Sequence, residues 1–217
     1  NGVNLMRQGD FQKAIFFFRE ALRELHLITG VQRKNMNTAP TDQVEASRTF
    51  RREVSSVPLG DALSVLKPSI YQDHDAFSIF DRAFLIDCSD LASIYSREGQ
   101  TFTTPVLLYN MGLTYQLLGM KDLRSQHSNL KKAMKAYRMA AAIAKDLVSL
   151  AVANNMGHIY SQFCDTQQSQ HCLDSLQAGL HAIQQDSNVE ILEDEFSAFQ
   201  MNVLVMHGQK KVAAAAA

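Results

Sequence analysis

The chain has 217 residues, of which 46% are hydrophobic and 20% charged, the balance of a folded domain. Its 21 Lys and Arg against 22 Asp and Glu leave a formal net charge of -1, which excludes the basic surplus of a general nucleic-acid binder. No apolar run approaches the roughly 18 residues of a membrane-spanning helix, and three cysteines (Cys88, Cys164 and Cys172) do not make a disulfide framework.

That odd cysteine count points to an intracellular, reducing compartment, cytoplasmic or nuclear before organellar. The chain opens on Asn1 rather than Met, so an upstream segment is left open. The closing run Ala213 to Ala217 carries no pattern and is set aside.

In chain order, Gly9-Asp10 marks a turn. Ala14, Ile15, Phe18, Ala21, Leu22 and Leu25 then recur at helical spacing. Residues 31–56 are polar and read as a mobile loop. The apolar stretch 77–86 reads as short extended structure, with a buried helix as the alternative. Thr104-Pro105 has the form of a helix start, Thr as cap and Pro in the first turn.

Asn110-Met111-Gly112 followed by Tyr115 recurs as Asn155-Met156-Gly157 followed by Tyr160, a spacing of 45 residues. A weaker copy, Asn202-Val203-Leu204 followed by His207, lies 47 residues beyond Asn155. Second helical patterns follow: Leu130, Ala133, Met134, Tyr137, Ala140, Ala141 and Ala144 in one unit; Cys172, Leu173, Leu176, Gly179, Leu180 and Ile183 in the next. Each unit reads as helix, turn, helix. The small residues Gly112, Gly157, Ala14, Ala21, Ala133, Ala140 and Gly179 fall where paired helices cross at the usual separation of about 8–10 Å. Phe18, Tyr115, Tyr137 and Tyr160 fill the space beside them. Val189, Leu192, Phe196, Phe199, Val203 and Met206 step by three and four, as a last amphipathic helix.

This order of small and large residues resembles the tetratricopeptide repeat superfamily. The clearest match runs through Gly2, Leu5, Gly9, Asp10, Phe11, Ala14, Ile15, Phe18, Ala21 and Leu22. The family's unit is about 34 residues, and the excess here is expected in polar loops at 120–129 and 165–170. From Gly2 to Gly112 is 110 residues, which leaves an insertion of about 76 beyond one unit. Phe80-Asp81-Arg82-Ala83-Phe84, taken with residues 108–113, is similar to repeat proteins expanded in diatoms and related algae. The resemblance implies an all-α helix-hairpin array, an α-solenoid. Its divisions are a first unit at 1–30, an irregular insertion at 31–103, second and third units at 104–188, and a capping helix at 189–212. The alternative for the last helix is that the array continues.

In such arrays the first helix of each unit lines a concave groove that holds a partner segment. The resemblance therefore implies a non-catalytic scaffold or adaptor for a protein or peptide partner, with no cofactor. Its partner-binding residues would be Asn110, Leu113, Gln116, Asn155, His158 and Gln162, the Asn carboxamides both donating to and accepting from a partner's main chain. The alternatives stay open: the Asn side chains cap or bridge neighbouring helices, and the protein is a structural subunit of a large assembly. A clamp for acidic chaperone tails is disfavoured, because Ala151 and Asn155 stand where that clamp carries basic residues.

The remaining candidates carry less. His158, Cys164, His171 and Cys172 lack the tight pairs of a zinc site. Asp73, His74, Asp75, Asp81, Asp87 and Asp90 lack the calcium-loop spacing. No phosphate loop, H-E-x-x-H or G-x-S-x-G is present, so no catalysis is expected. The basic groups Arg48, Arg51, Arg52 and Lys131, Lys132, Lys135 read as solvated surface.

Overall fold

A computed structural model describes residues 1–36, 55–60, 78–86, 94–185 and 192–215. The chain enters its first helix, α1 (Gly2–Arg7), at Asn1, whose Oδ1 accepts from the Val3 N–H at 3.1 Å. Gly9, at φ +73°, turns the chain in the left-handed region that a side chain resists. Helix α2 (Phe11–Met36) begins two residues later, with the Asp10 carboxylate accepting from Lys13 N at 3.3 Å. Residues 31–36 therefore belong to a helix rather than to the loop expected there, and 55–58 form a strand; residues 37–54 lie outside the described part.

Strands β1 (Ser55–Pro58) and β2 (Arg82–Leu85) pair antiparallel, with Ser55 opposite Leu85 and Pro58 opposite Arg82. The extended expectation for 77–86 therefore holds where that stretch is described. Helix α3 (Arg97–Lys121) starts seven residues before the expected Thr104-Pro105. Ser96 is its cap, its Oγ accepting from Gly99 N at 3.0 Å. Pro105 instead sits inside α3, where it removes one backbone donor.

Helices α4 (Gln126–Ala141), α5 (Asp146–Gln162) and α6 (Thr166–Gln185) follow, then α7 (Glu193–Ala215). The joins are short, at 122–125, 142–145 and 163–165. The excess length is thus carried by the helices, of 25 residues in α3 and 20 in α6, and not by the loops expected at 120–129 and 165–170. The physical reason lies in Leu130, Ala133, Tyr137, Leu173 and Leu176. Each is buried, so the apolar faces continue almost to the turns.

The described chain is mostly helical, with one two-stranded sheet. Helix α1 packs on α2, α2 on α3, α3 on α4 and α5 on α6, while α5 also touches both α3 and α7. Close crossings explain the small residues. A Cβ on Gly2 would stand 2.5 Å from the Phe18 ring, one on Gly112 2.7 Å from the Tyr137 ring, and one on Gly179 2.5 Å from Leu150. In α7, Phe199 is fully buried and Phe196 and Val203 pack against the core, but Leu192, just before the helix, is exposed. Val189 lies outside the described residues. No described helix is long and apolar enough to cross a membrane.

Candidate functional site

The side of the molecule where α3, α5 and α7 meet is filled by the chain's own residues 78–85. Each of the three helices offers one asparagine that grips one residue of this segment by both main-chain groups. In α3, Asn110 Oδ1 accepts from Phe84 N at 2.9 Å and its Nδ2 donates to Phe84 O at 2.8 Å. In α5, Asn155 Oδ1 accepts from Phe80 N at 2.8 Å and its Nδ2 donates to Phe80 O at 3.0 Å. In α7, Asn202 Oδ1 accepts from Ser78 N at 2.9 Å and its Nδ2 donates to Ser78 O at 2.8 Å. The segment runs opposite to the helix order, meeting α7 first and α3 last.

Main-chain bookkeeping explains the register. Consecutive residues of a strand turn their N–H and C=O groups to opposite edges. Leu59 N donates to Asp81 O at 3.2 Å, so the odd-numbered edge faces β1. The even-numbered edge, residues 78, 80 and 84, has no strand beside it among the described residues and takes the carboxamides instead. Tyr109 Oη donates on the same edge to the carbonyls of Phe80 and Arg82, at 3.1 Å each. A row of amide side chains thus does the work of a neighbouring strand and covers an edge that would otherwise be open.

The segment's side chains are packed as tightly as its backbone is held. Phe80 stacks on Phe199 of α7 with ring centroids 4.5 Å apart, and Phe84 lies 4.8 Å from Tyr109. Arg82 ties the hairpin to the start of α7. Its Nη1 meets Asp194 Oδ2 at 2.6 Å, and its Nε donates to Ser56 Oγ at 2.6 Å. Ser56 Oγ in turn donates to the buried Glu195 carboxylate.

Behind the asparagines runs a buried polar chain. Asn155 Nδ2 lies 3.2 Å from both Tyr109 Oη and Tyr137 Oη. Burial lifts both phenols above their ordinary value, which keeps them as O–H donors. Tyr137 Oη donates to Gln116 Oε1 at 2.8 Å, and Gln116 Nε2 meets His158 Nδ1 at 2.9 Å. An amide nitrogen only donates, so His158 Nδ1 accepts and the ring proton sits on Nε2. Gln162 lies 3.4 Å beyond Nε2. With its carboxamide turned so that Oε1 faces the ring, that oxygen gains the partner it otherwise lacks.

All six residues expected to line a groove are therefore placed, but against the chain itself. Asn110 and Asn155 grip the segment, Leu113 is fully buried core, and Gln116, His158 and Gln162 form the polar chain. The sequence reading missed Asn202 as a site residue although it noted the repeat around it. It also missed Asn154, whose Oδ1 accepts from Asn202 Nδ2 at 2.6 Å and whose Nδ2 donates to Ser78 O at 3.0 Å. Tyr109 and the polar role of Tyr137 were missed as well. The shared Asn of the weaker copy was the available signal for Asn202.

Burial pushes His158 down to about 4 from the usual 6.5, so the folded protein holds it neutral. Between those values the unfolded chain takes a proton that the folded chain refuses. The contribution is complete above pH 6.5 and is lost as pH falls towards 4. Relative to His158→Gln, the wild type is expected to lose about 2 kcal/mol of unfolding free energy between pH 7 and pH 5. Urea unfolding of both at the two pH values checks this; equal losses would mean that the fold lets His158 protonate freely.

The other candidates are apart. Cys164 and His171 are exposed, while Cys172 is buried, with burial pushing its thiol up to about 11. Among the described residues no three His, Cys, Asp or Glu side chains stand together as a metal site would need. Asp81 is partly buried and belongs to the 78–85 segment itself. Lys131, Lys132 and Lys135 are exposed on α4, with Lys132 lying over the Tyr115 ring at 5.7 Å. Cys88, Asp73, His74, Asp75, Asp87, Asp90, Arg48, Arg51 and Arg52 lie outside the described residues. No family model, curated protein or solved structure matches this chain.

Proposed function

We propose that the protein is a non-catalytic interaction scaffold, an all-α helix-hairpin array resembling tetratricopeptide repeats, that holds an extended partner segment along α3, α5 and α7. The observation that carries this reading is the asparagine row. Three helices each present one carboxamide that takes the N–H and C=O of a single residue in an extended chain. Recognition of that kind is indifferent to side chains and leaves specificity to the pockets beside the strand. The hydrogen-bonding capacity of these polar groups is spent on the segment and on one another, which supports holding rather than catalysis. The free Cys164 and Cys172 support a reducing compartment.

Residues 78–85 are the resident occupant, and a partner segment exchanges with them. The test is complementation. Residues 78–86 are replaced by a Gly-Ser stretch of equal length, and a peptide of the native 78–86 sequence is added in trans. The emptied chain is expected to bind the peptide, gaining about 2.7 kcal/mol of stability at 100 times the dissociation constant, while the wild type ignores it. The emptied chain should also capture a partner from source cells that the wild type captures less.

A second reading, a structural subunit of a large assembly, is favoured by a different observation. Ala83 and Phe84 are 0% exposed and belong to the core, whereas Phe16, Met201 and Leu204 stand 68%, 58% and 64% exposed on the outer surface. A folded but emptied chain that ignores the peptide would leave this reading standing and end the first.

A further inference from the structure

Between Phe80 and Phe84 the segment carries Arg82, whose guanidinium is taken up by groups that lie outside the segment. Its side chain is 14% exposed. Nη1 meets Asp194 Oδ2 at 2.6 Å, and Nε stands 3.6 Å from Glu195 Oε1. Nε also donates to Ser56 Oγ at 2.6 Å, and Nη2 donates to the Ser56 carbonyl at 3.4 Å. Ser56 Oγ in its turn donates to the Glu195 carboxylate. Every acceptor in this set belongs to β1 or to the first turn of α7, and the one cation belongs to the segment.

The two carboxylates differ in how much they need it. Asp194 is 63% exposed at its side chain, so water can screen it, but Glu195 is only 3% exposed. Arg82 is the one basic group paired with Glu195 among the described residues. A carboxylate buried to that degree needs a cation beside it, and an incoming chain that lacks one leaves the charge stranded. A lysine would supply the charge but not the planar fork that reaches both carboxylates and Ser56 at once.

We infer that the partner segment carries an arginine here, two residues after one large apolar side chain and two before the next, as Arg82 stands between Phe80 and Phe84. The inference rests on the exchange reading and adds to it the charge that the incoming chain has to bring.

The probes are three fluorescein-labelled peptides of the 78–86 sequence: the native one, one with citrulline in place of Arg82, and one with Arg82→Lys. Citrulline keeps the shape of arginine and removes its charge. Each is titrated into the full chain whose residues 78–86 are a Gly-Ser stretch. The native peptide should bind about 30- to 100-fold more tightly than the citrulline peptide and about tenfold more tightly than the lysine peptide. Glu195→Gln in the same chain should reduce the native-to-citrulline ratio to about fivefold or less, the share of the exposed Asp194 pair. A folded emptied chain that binds no peptide ends the exchange reading and this inference with it. Equal binding of the native and citrulline peptides, or a ratio that Glu195→Gln leaves unchanged, overturns this inference alone. If the emptied chain loses its helical circular dichroism, Arg82→Gln in the otherwise intact chain takes its place, because its resident segment no longer satisfies Glu195. The same ratios are expected there, and equal binding, or none, overturns the inference.

Discussion

Asn155→Ala is expected to lower the unfolding free energy by about 3 kcal/mol. The residue is fully buried and takes part in five hydrogen bonds of the site, to Phe80 N, Phe80 O, Tyr109 Oη, Tyr137 Oη and Asn154 Nδ2. Alanine leaves the buried Phe80 N–H without its acceptor. The Phe80 carbonyl keeps Tyr109 as a donor, and Tyr137 keeps Gln116 as an acceptor. A buried group stranded in this way costs about 1–3 kcal/mol, and the lost bonds add to it. Asn202→Ala is the internal control. Ser78 is exposed, so water can replace the lost bonds, and Asn154 still donates to the Ser78 carbonyl. The buried Asn154 Oδ1 loses its donor, so that variant should cost about 1–2 kcal/mol, less than Asn155→Ala. Urea midpoints at constant slope measure both. A cost below about 0.5 kcal/mol for Asn155→Ala, the scatter of an ordinary surface change, would mean that the row is decorative.

Phe84→Ala should be costlier still, about 3–5 kcal/mol. Its ring is 0% exposed, lies 4.8 Å from Tyr109 and 6.2 Å from Phe80, and forms one wall of an apolar recess between α1, α2 and α3. Truncation enlarges a space bordered on its other sides by helices, which limits collapse. Phe84→Leu keeps most of the contact area and should cost about half as much. Hydrogen exchange supplies an independent readout. The Phe84 N–H, held by Asn110, should lose protection in the alanine variant, while amides in the middle of α5 keep theirs. A cost under about 1 kcal/mol would remove the segment from the core and with it the second reading of function.

The two substitutions divide the hold on residues 78–85 into a main-chain part and a side-chain part. The distinction matters for exchange. Under the proposed exchange, a partner with any residue but proline at the three gripped positions could satisfy Asn110, Asn155 and Asn202, but only one with suitable large apolar groups could replace Phe80 and Phe84. The spacing of those two residues, four apart, is the selectivity that the proposal expects of an incoming segment.

Parts of this arrangement were legible in the residues alone. Helical periodicity placed the two helices of each hairpin, because burial of one face leaves a 3.6-residue signature. Gly112 and Tyr137 announced a close crossing, since no larger residue leaves room for that ring. The extended character of the described part of 77–86 was also readable. Helix limits were not. Thr104-Pro105 has every local mark of a start, yet Ser96 caps α3. Local propensity is outweighed there by packing, since Thr103, Val106, Leu107 and Leu108 are all buried.

The sequence by itself determined the helical class, the small-residue crossings and the row of asparagines two positions before each packing glycine in α3 and α5. Only the tertiary structure decided what those asparagines hold. Their partners lie 26, 75 and 124 positions away in the chain, beyond any periodicity. They are also main-chain groups, which every residue but proline carries alike. A carboxamide that grips a backbone leaves no mark on the residue type it grips, so nothing in Ser78, Phe80 or Phe84 as letters could announce the contact.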